Sequence, residues 1–176
     1  DATMRGVRRM VRAYAAGGGA DALILFHDRA HGTELIDALA RFGPGLPAYV
    51  LPVEVEETTS IGPEAVLAAL AWGATGVGLL TRARPRHDVR GLAQTVALTD
   101  AVATGLGYGA GVVRALAFDD PDALRSALDE FPPGEASRTP ASFEPRGRKR
   151  DLLNVTLAEL HAAAPAPTPR IELAEG

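Results

Sequence analysis

The stretch Tyr49–Leu80, YVLPVEVEETTSIGPEAVLAALAWGATGVGLL, decides the fold of this chain. It has the pattern of a strand, a polar loop, a helix, a glycine turn and a second strand. Pro63 stands where the first turn of a helix tolerates proline, and Glu64 complements the helix dipole there. This order of elements predicts one βαβ unit of a parallel sheet.

Apolar runs before and after this unit predict the other strands. Ala22–Phe26 is continuously apolar, which is typical of a strand buried on both faces, and Gly111–Phe118 supplies a fourth strand. Helical stripes lie between the strands, and a further helix is predicted from Thr3 to about Ala16. Because strands alternate with helices, the sequence predicts a four-stranded parallel sheet of flavodoxin-like, doubly wound type.

The composition limits what the chain can do. Its 176 residues suffice for one domain, and its net charge of −4 argues against a nucleic-acid-binding module. Cysteine is absent, which excludes disulfides and cysteine-ligated iron–sulfur clusters within these residues. We find neither an apolar run long enough for a membrane span nor a signal peptide.

Composition also divides the chain. Residues 1–131 carry the α/β pattern, residues 132–150 are rich in Pro, Gly, Ser, Glu and Arg and are predicted to be a linker, and residues 151–176 hold a short helix and an extended tail. Because the sequence starts at Asp1 and ends in PRIELAEG, we expect a piece of a longer polypeptide. A processed mature protein is the alternative.

Sites of parallel α/β folds lie at the carboxyl ends of the strands. The candidate residues there, which could contact an anion or a partner protein, are Arg82, Arg84, His87, His31, Glu54 and Glu56. With the strand order 2-1-3-4, the loop after the third strand would face His27–His31 across the topological switch point. The alternative is a solvated loop whose arginines pair with the glutamates after the second strand.

Other motifs are weaker. Gly105–Ala110 (GLGYGA) matches a dinucleotide fingerprint, but a helix precedes it, so it is predicted to be a helix end. His27, His31 and Glu34 have helical metal-ligand spacing, which Gly32 interrupts. Arg146–Arg150 is predicted to be a solvated linker or a contact to an acidic neighbouring domain. No nucleophile elbow or paired carboxylates stand out, so we do not expect an enzyme.

The stretch VLPVEVEETTSIGPEAVLAALAWGATGVGLLTRARPRHDV, followed by GLGYGAGVVRALAFDDPDALRSAL, resembles the delta subunit of methyl-viologen-reducing hydrogenase. That family passes electrons to heterodisulfide reductase, and its cluster-binding cysteines follow the first three strands. Here those places hold His27 and its neighbours, Glu54–Thr58 and Thr81–His87. The resemblance therefore implies the family's fold without its metal site.

Three further phrases, LFHDRAHGTELIDALARFG, RARPRHDVRGLAQTVAL and FEPRGRKRDLLNVTLAELH, resemble the middle domain of bacterial 4Fe-4S ferredoxin-like proteins found alongside formate dehydrogenase accessory genes. This resemblance implies a spacer or docking domain without a cofactor of its own. It also implies a cytoplasmic location, 4Fe-4S clusters in flanking ferredoxin-type modules and redox protein partners. A small-molecule or anion-binding domain that uses the carboxyl-edge loops is the first alternative, and a hydrolase or transferase the second.

Overall fold

The computed structural model describes residues 2–85, 88–137, 139–171 and 173. The strands are β1 (Leu23–Asp28), β2 (Val50–Val55), β3 (Gly76–Thr81) and β4 (Val113–Ala117). The helices are α1 (Ala2–Ala16), α2 (Glu34–Phe42), α3 (Pro63–Ala71), α4 (Arg90–Leu106), α5 (Pro121–Asp129) and α6 (Lys149–Ala162). Short helical turns at Arg29–Thr33 and Thr58–Ser60 follow β1 and β2.

The four strands form one parallel sheet in the order β2-β1-β3-β4, which confirms the predicted fold class. This is also the strand order under which the loop after the third strand faces the loop after the first. The chain passes from β1 to β2 on one side and then to β3 on the other side. The topological switch point therefore lies between β1 and β3. In the centre of the sheet, Phe26 is paired with both Val53 and Leu79.

Apolar side chains cover both faces of the sheet, as the doubly wound prediction requires. Ile24 and Phe26 face a cluster formed with α1, α3, α4 and α6. Leu23 and Leu25 point the other way, into a cluster with α2 and α5. This alternation is the two-residue period of a strand, and it explains why the apolar run of β1 has no polar interruption.

Helix α3 is buried on all sides. Every residue from Glu64 to Ala71 is buried, because α3 lies between the sheet and the helices α1, α4 and α6. Four of these residues are alanine, which lets the surrounding helices approach closely. A helix with so little polar surface needs a cover on its outer side, and α6 supplies it.

The segment predicted to be a linker is packed against the domain. Gly134 donates its backbone N–H to the carbonyl of Thr75 (3.1 Å), Glu135 to that of Tyr108 (2.8 Å), and Ala141 to that of Ala71 (2.8 Å). Its described residues before Lys149 form no helix or strand, as its Pro and Gly content predicts. Its packing depends on backbone bonds that any residue type can make, so composition does not reveal it.

Side chains hold the same segment in place. Arg8 of α1 forms an ion pair with Glu144 (2.7 Å) and donates to the carbonyl of Ser142 (2.8 Å). The rings of Trp72 and Phe143 lie 5.3 Å apart, and the indole N–H donates to the carbonyl of Phe143 (3.3 Å). The chain beyond residue 131 thus shares the core of the residues before it.

Helix α6 and the residues after it complete that core. Leu152 and Leu160 are buried, and the hydroxyl of Tyr108 donates to the carbonyl of Leu160 (2.8 Å). Beyond α6, Thr168 donates its backbone N–H to the carbonyl of Gly105 (2.7 Å). The predicted extended tail therefore lies against the carboxyl end of α4.

The GLGYGA run ends a helix, as predicted from the order of its neighbours. Gly107 is the C-cap of α4 with a φ of +85°, a left-handed conformation that favours glycine. A Cβ at this position would lie 2.6 Å from the backbone nitrogen of Ala166. Within the described residues, no helix is both long and apolar enough to cross a membrane.

Candidate functional site at the carboxyl edge of the sheet

The loops after β1, β2 and β3 meet in a crevice of about 220 Å³ at the switch point. Its lining includes Asp28, Ala30, Glu56, Thr58, Thr81 and Arg82. Ligand sites of open parallel sheets occur at this position, because the strand order reverses there and leaves a gap between the loops. We call this feature the switch-point crevice.

Asp28 lines the crevice and fixes the conformation of the loop after β1. Its Oδ1 accepts the backbone N–H of His31 (2.6 Å) and that of Gly32 (3.4 Å), which starts the π-helical turn after β1. Gly32 is required in this turn, since a Cβ there would lie 2.5 Å from the Cβ of His27. The carboxylate of Asp28 thus makes the segment after β1 an ordered helical turn.

His31 lies beside the end of β4 rather than in the crevice. Its ring is buried, and its Nε2 lies 3.1 Å from Oδ1 of Asp119. This distance is short enough for an ion pair, but the two groups are not oriented for a hydrogen bond. The same Oδ1 accepts the backbone N–H of Ala83 (3.1 Å), which ties the loop after β3 to that after β4. Asp119 was not predicted as a site residue, although the pair Asp119–Asp120 after the fourth strand could have indicated it.

Glu54 is engaged on the outer side of the π-helical turn. Arg29 donates to its Oε1 from Nε (2.9 Å) and Nη2 (2.7 Å), and the Thr33 hydroxyl donates to its Oε2 (3.1 Å). The hydrogen bonds from Arg29 and then Thr33 lower the pKa of Glu54, so the carboxylate stays ionised. Glu54 therefore pairs with Arg29, a residue that sequence analysis did not single out.

Arg82 crosses the switch point. Its Nη2 donates to the carbonyl of Ala30 (3.5 Å), so the loop after β3 does face the loop after β1 as the strand order predicts. Arg84 is exposed further along the same loop. His87 lies outside the described residues. Glu56 is exposed and lines the crevice from the β2 side, opposite Arg82.

Thr58 contributes a buried hydroxyl to the crevice. The residue is 4% exposed, and its Oγ1 has no hydrogen-bond partner among the described residues. An unpaired buried hydroxyl costs about 1–3 kcal/mol. Sequence analysis placed Thr58 in the polar loop but could not distinguish it from its neighbours, because burial depends on the packing of the whole edge.

These groups do not fit an iron–sulfur cluster. Such clusters are held by cysteine thiolates, with histidine in some cases, and the sequence has no cysteine. Asp28 already accepts two backbone N–H groups. Among the described residues, no three His, Asp or Glu side chains are arranged to hold a metal ion.

No family model, curated protein or solved structure matched this chain. The fold and the crevice therefore define the class as an α/β domain with a polar site at its switch point.

Proposed function

We propose that this chain is a docking domain, without a cluster of its own, in an iron–sulfur electron-transfer protein. In this role it separates ferredoxin-type modules that carry 4Fe-4S clusters and presents a surface to redox partners in the cytoplasm. The observation that carries the proposal is the switch-point crevice. By the resemblance, the loops after β1, β2 and β3 correspond to those that hold cysteines in the hydrogenase delta family. These loops line the crevice, where this chain presents Asp28, Thr58 and Thr81.

The completeness of the core supports this role. Two apolar clusters fill both faces of the sheet without any metal ligand, so the domain has no need of a cluster for its stability. A rigid domain of this kind can hold flanking modules at a constant separation, which a flexible linker cannot do. The formate dehydrogenase link implied by the resemblance makes formate oxidation the reaction that this electron carrier would serve.

We expect the purified chain to fold and to stay colourless after anaerobic reconstitution with iron and sulfide, because its strand ends carry no thiolates. Replacing the domain in the longer polypeptide by a flexible linker should then preserve iron content but slow electron transfer to the redox partner. Metal analysis, visible absorbance and partner reduction rates measure these results.

A point variant of the domain with unchanged docking surfaces, such as Val155→Ala on the outer side of α6, is the control and should transfer electrons at the normal rate. Stoichiometric iron that survives gel filtration would contradict the absence of a cluster. An unchanged transfer rate after domain replacement would contradict the docking role.

Binding of a small ligand in the switch-point crevice is the second candidate function. Two observations favour it: the buried Thr58 hydroxyl has no partner in the described part of the chain, and the Arg82 guanidinium crosses the gap. A hydroxyl and a guanidinium can bind a phosphate or carboxylate group together.

If the domain only docks, we expect FMN, NAD, ATP and phosphate to leave its melting temperature unchanged. A ligand present at a hundred times its Kd would stabilise the folded state by about 2.7 kcal/mol, which differential scanning fluorimetry detects easily. A shift abolished by Arg82→Ala/Arg84→Ala but retained in the control Arg41→Ala/Arg170→Ala would establish the second function instead.

A further inference from the structure

Helix α1 carries a stripe of arginines that have no partner among the described residues. The helix contains four arginines and no acidic residue. Arg5, Arg9 and Arg12 are exposed and, at spacings of four and three residues, lie on one face. None of the three side chains makes a hydrogen bond or an ion pair with the described part of the chain, whereas Arg8 pairs with Glu144. We call these three residues the arginine stripe.

The arginine stripe does not help the helix to fold. Like charges three and four residues apart repel each other, and positive charge near a helix N-terminus opposes the dipole. Glutamate has a similar helix propensity and would suit these positions better. Stability of the helix therefore does not explain the stripe, and the described part of the chain supplies no acidic partner for it.

A second basic cluster adjoins the N-terminus of α1. Arg146, Arg148 and Lys149 line a cavity of about 310 Å³ together with Thr3 and Met4 of α1. Lys149 is held by Glu64 (3.2 Å), while the exposed side chains of Arg146 and Arg148 make no ion pair with any described residue. Exposed Arg150 follows these residues at the start of α6. We call the arginine stripe and the four basic residues of 146–150 together the basic surface.

The carboxylates nearest to the basic surface are mostly engaged. Glu144 is bonded to Arg8, Glu64 to Lys149, and Asp151 accepts the backbone N–H of Arg148 (3.0 Å). Glu56 also lines the cavity. Helix α1 and residues 146–150 hold eight of the 18 basic residues of a chain whose net charge is −4. Nearly half of the basic residues of an acidic protein therefore belong to two segments that line a common cavity.

We infer that the basic surface binds a partner protein through a carboxylate-rich patch. Arginine presents a planar fork that matches carboxylates, and complementary charge both steers association and sets its orientation. A long nucleic acid would also meet the acidic remainder of the chain. A lipid surface would need apolar side chains beside the arginines, but Met4, Val7 and Val11 face the core. This proposal rests on the docking role and adds the chemical character of the partner, which is a protein with a carboxylate-rich surface.

The test uses a fluorescent peptide of alternating glutamate and alanine as the probe. We expect the intact chain to bind it at low salt and to release it as salt rises. Arg5→Glu/Arg9→Glu should weaken binding about tenfold or more, the effect of losing two exposed ion pairs and adding repulsion. Its melting temperature should stay the same or rise, since acidic residues suit the start of a helix.

The matched control is Arg41→Glu/Arg170→Glu, which changes the net charge equally at exposed arginines away from the basic surface. It should bind the peptide nearly as the unmodified chain does. Absence of salt-dependent binding, or equal loss in both variants, would overturn the inference. So would tighter binding of duplex DNA or of phosphatidylserine vesicles, or self-association lost in Arg5→Glu/Arg9→Glu. These outcomes leave the docking role standing, because iron content and electron transfer test it separately.

Discussion

A chain that ends at residue 131 is expected to be unfolded or aggregated, although it retains all four strands. Such a truncation removes α6, which packs on α3, and with it the buried side chains of Leu152 and Leu160. Each buried leucine stabilises by about 1.5–3 kcal/mol, and a small domain has only about 5–15 kcal/mol in total. Exposing the apolar surface of α3 should then favour aggregation.

Circular dichroism, gel filtration and urea unfolding of the truncated chain measure this effect. A chain that ends at Ile171 is the control, because it keeps every contact described for α6 and for the segment after it. A soluble product ending at residue 131 with a cooperative unfolding transition would show that the four βα units form a domain by themselves. That result would support the prediction from composition that residues 132–150 are a linker.

The second large effect is expected from Trp72→Ala. Trp72 is 1% exposed, contacts the ring of Phe143, and ends α3 at the place where the returning segment crosses it. Replacing a buried aromatic residue by alanine typically costs about 3–5 kcal/mol, since it leaves a cavity as well as removing buried area. We expect a loss of this size in the free energy of unfolding.

Urea unfolding followed by circular dichroism gives the value, because Trp72 is the only tryptophan and its fluorescence is lost in the variant. Trp72→Phe, which keeps an aromatic ring against Phe143, should lose clearly less stability. Leu157→Ala on exposed α6 surface is a second control and should change stability by about 0.5 kcal/mol or less. A Trp72→Ala variant as stable as Leu157→Ala would mean that residues 132–148 do not seal the core.

The candidate site was predictable in position but not in detail. The order of strands placed the loops after β1, β2 and β3 at one edge, and Arg82 does reach across to Ala30. The sequence did not predict which side chains at this edge contact each other. Glu54 binds Arg29, and His31 lies beside Asp119, because these contacts depend on the π-helical turn that Asp28 starts. Thr58 became notable only through its burial.

The sequence by itself determined the four parallel strands and the helix end at Gly107, because each follows from a local pattern of apolar residues, glycine and proline. Only the tertiary structure decided where residues 132–137 and 139–171 lie and that the start of α1 adjoins Arg146 and Arg148. Those features depend on contacts between residues far apart in the chain, such as Gly134 with Thr75 and Arg8 with Glu144. No local period encodes such contacts, so they emerge only when the whole core is packed.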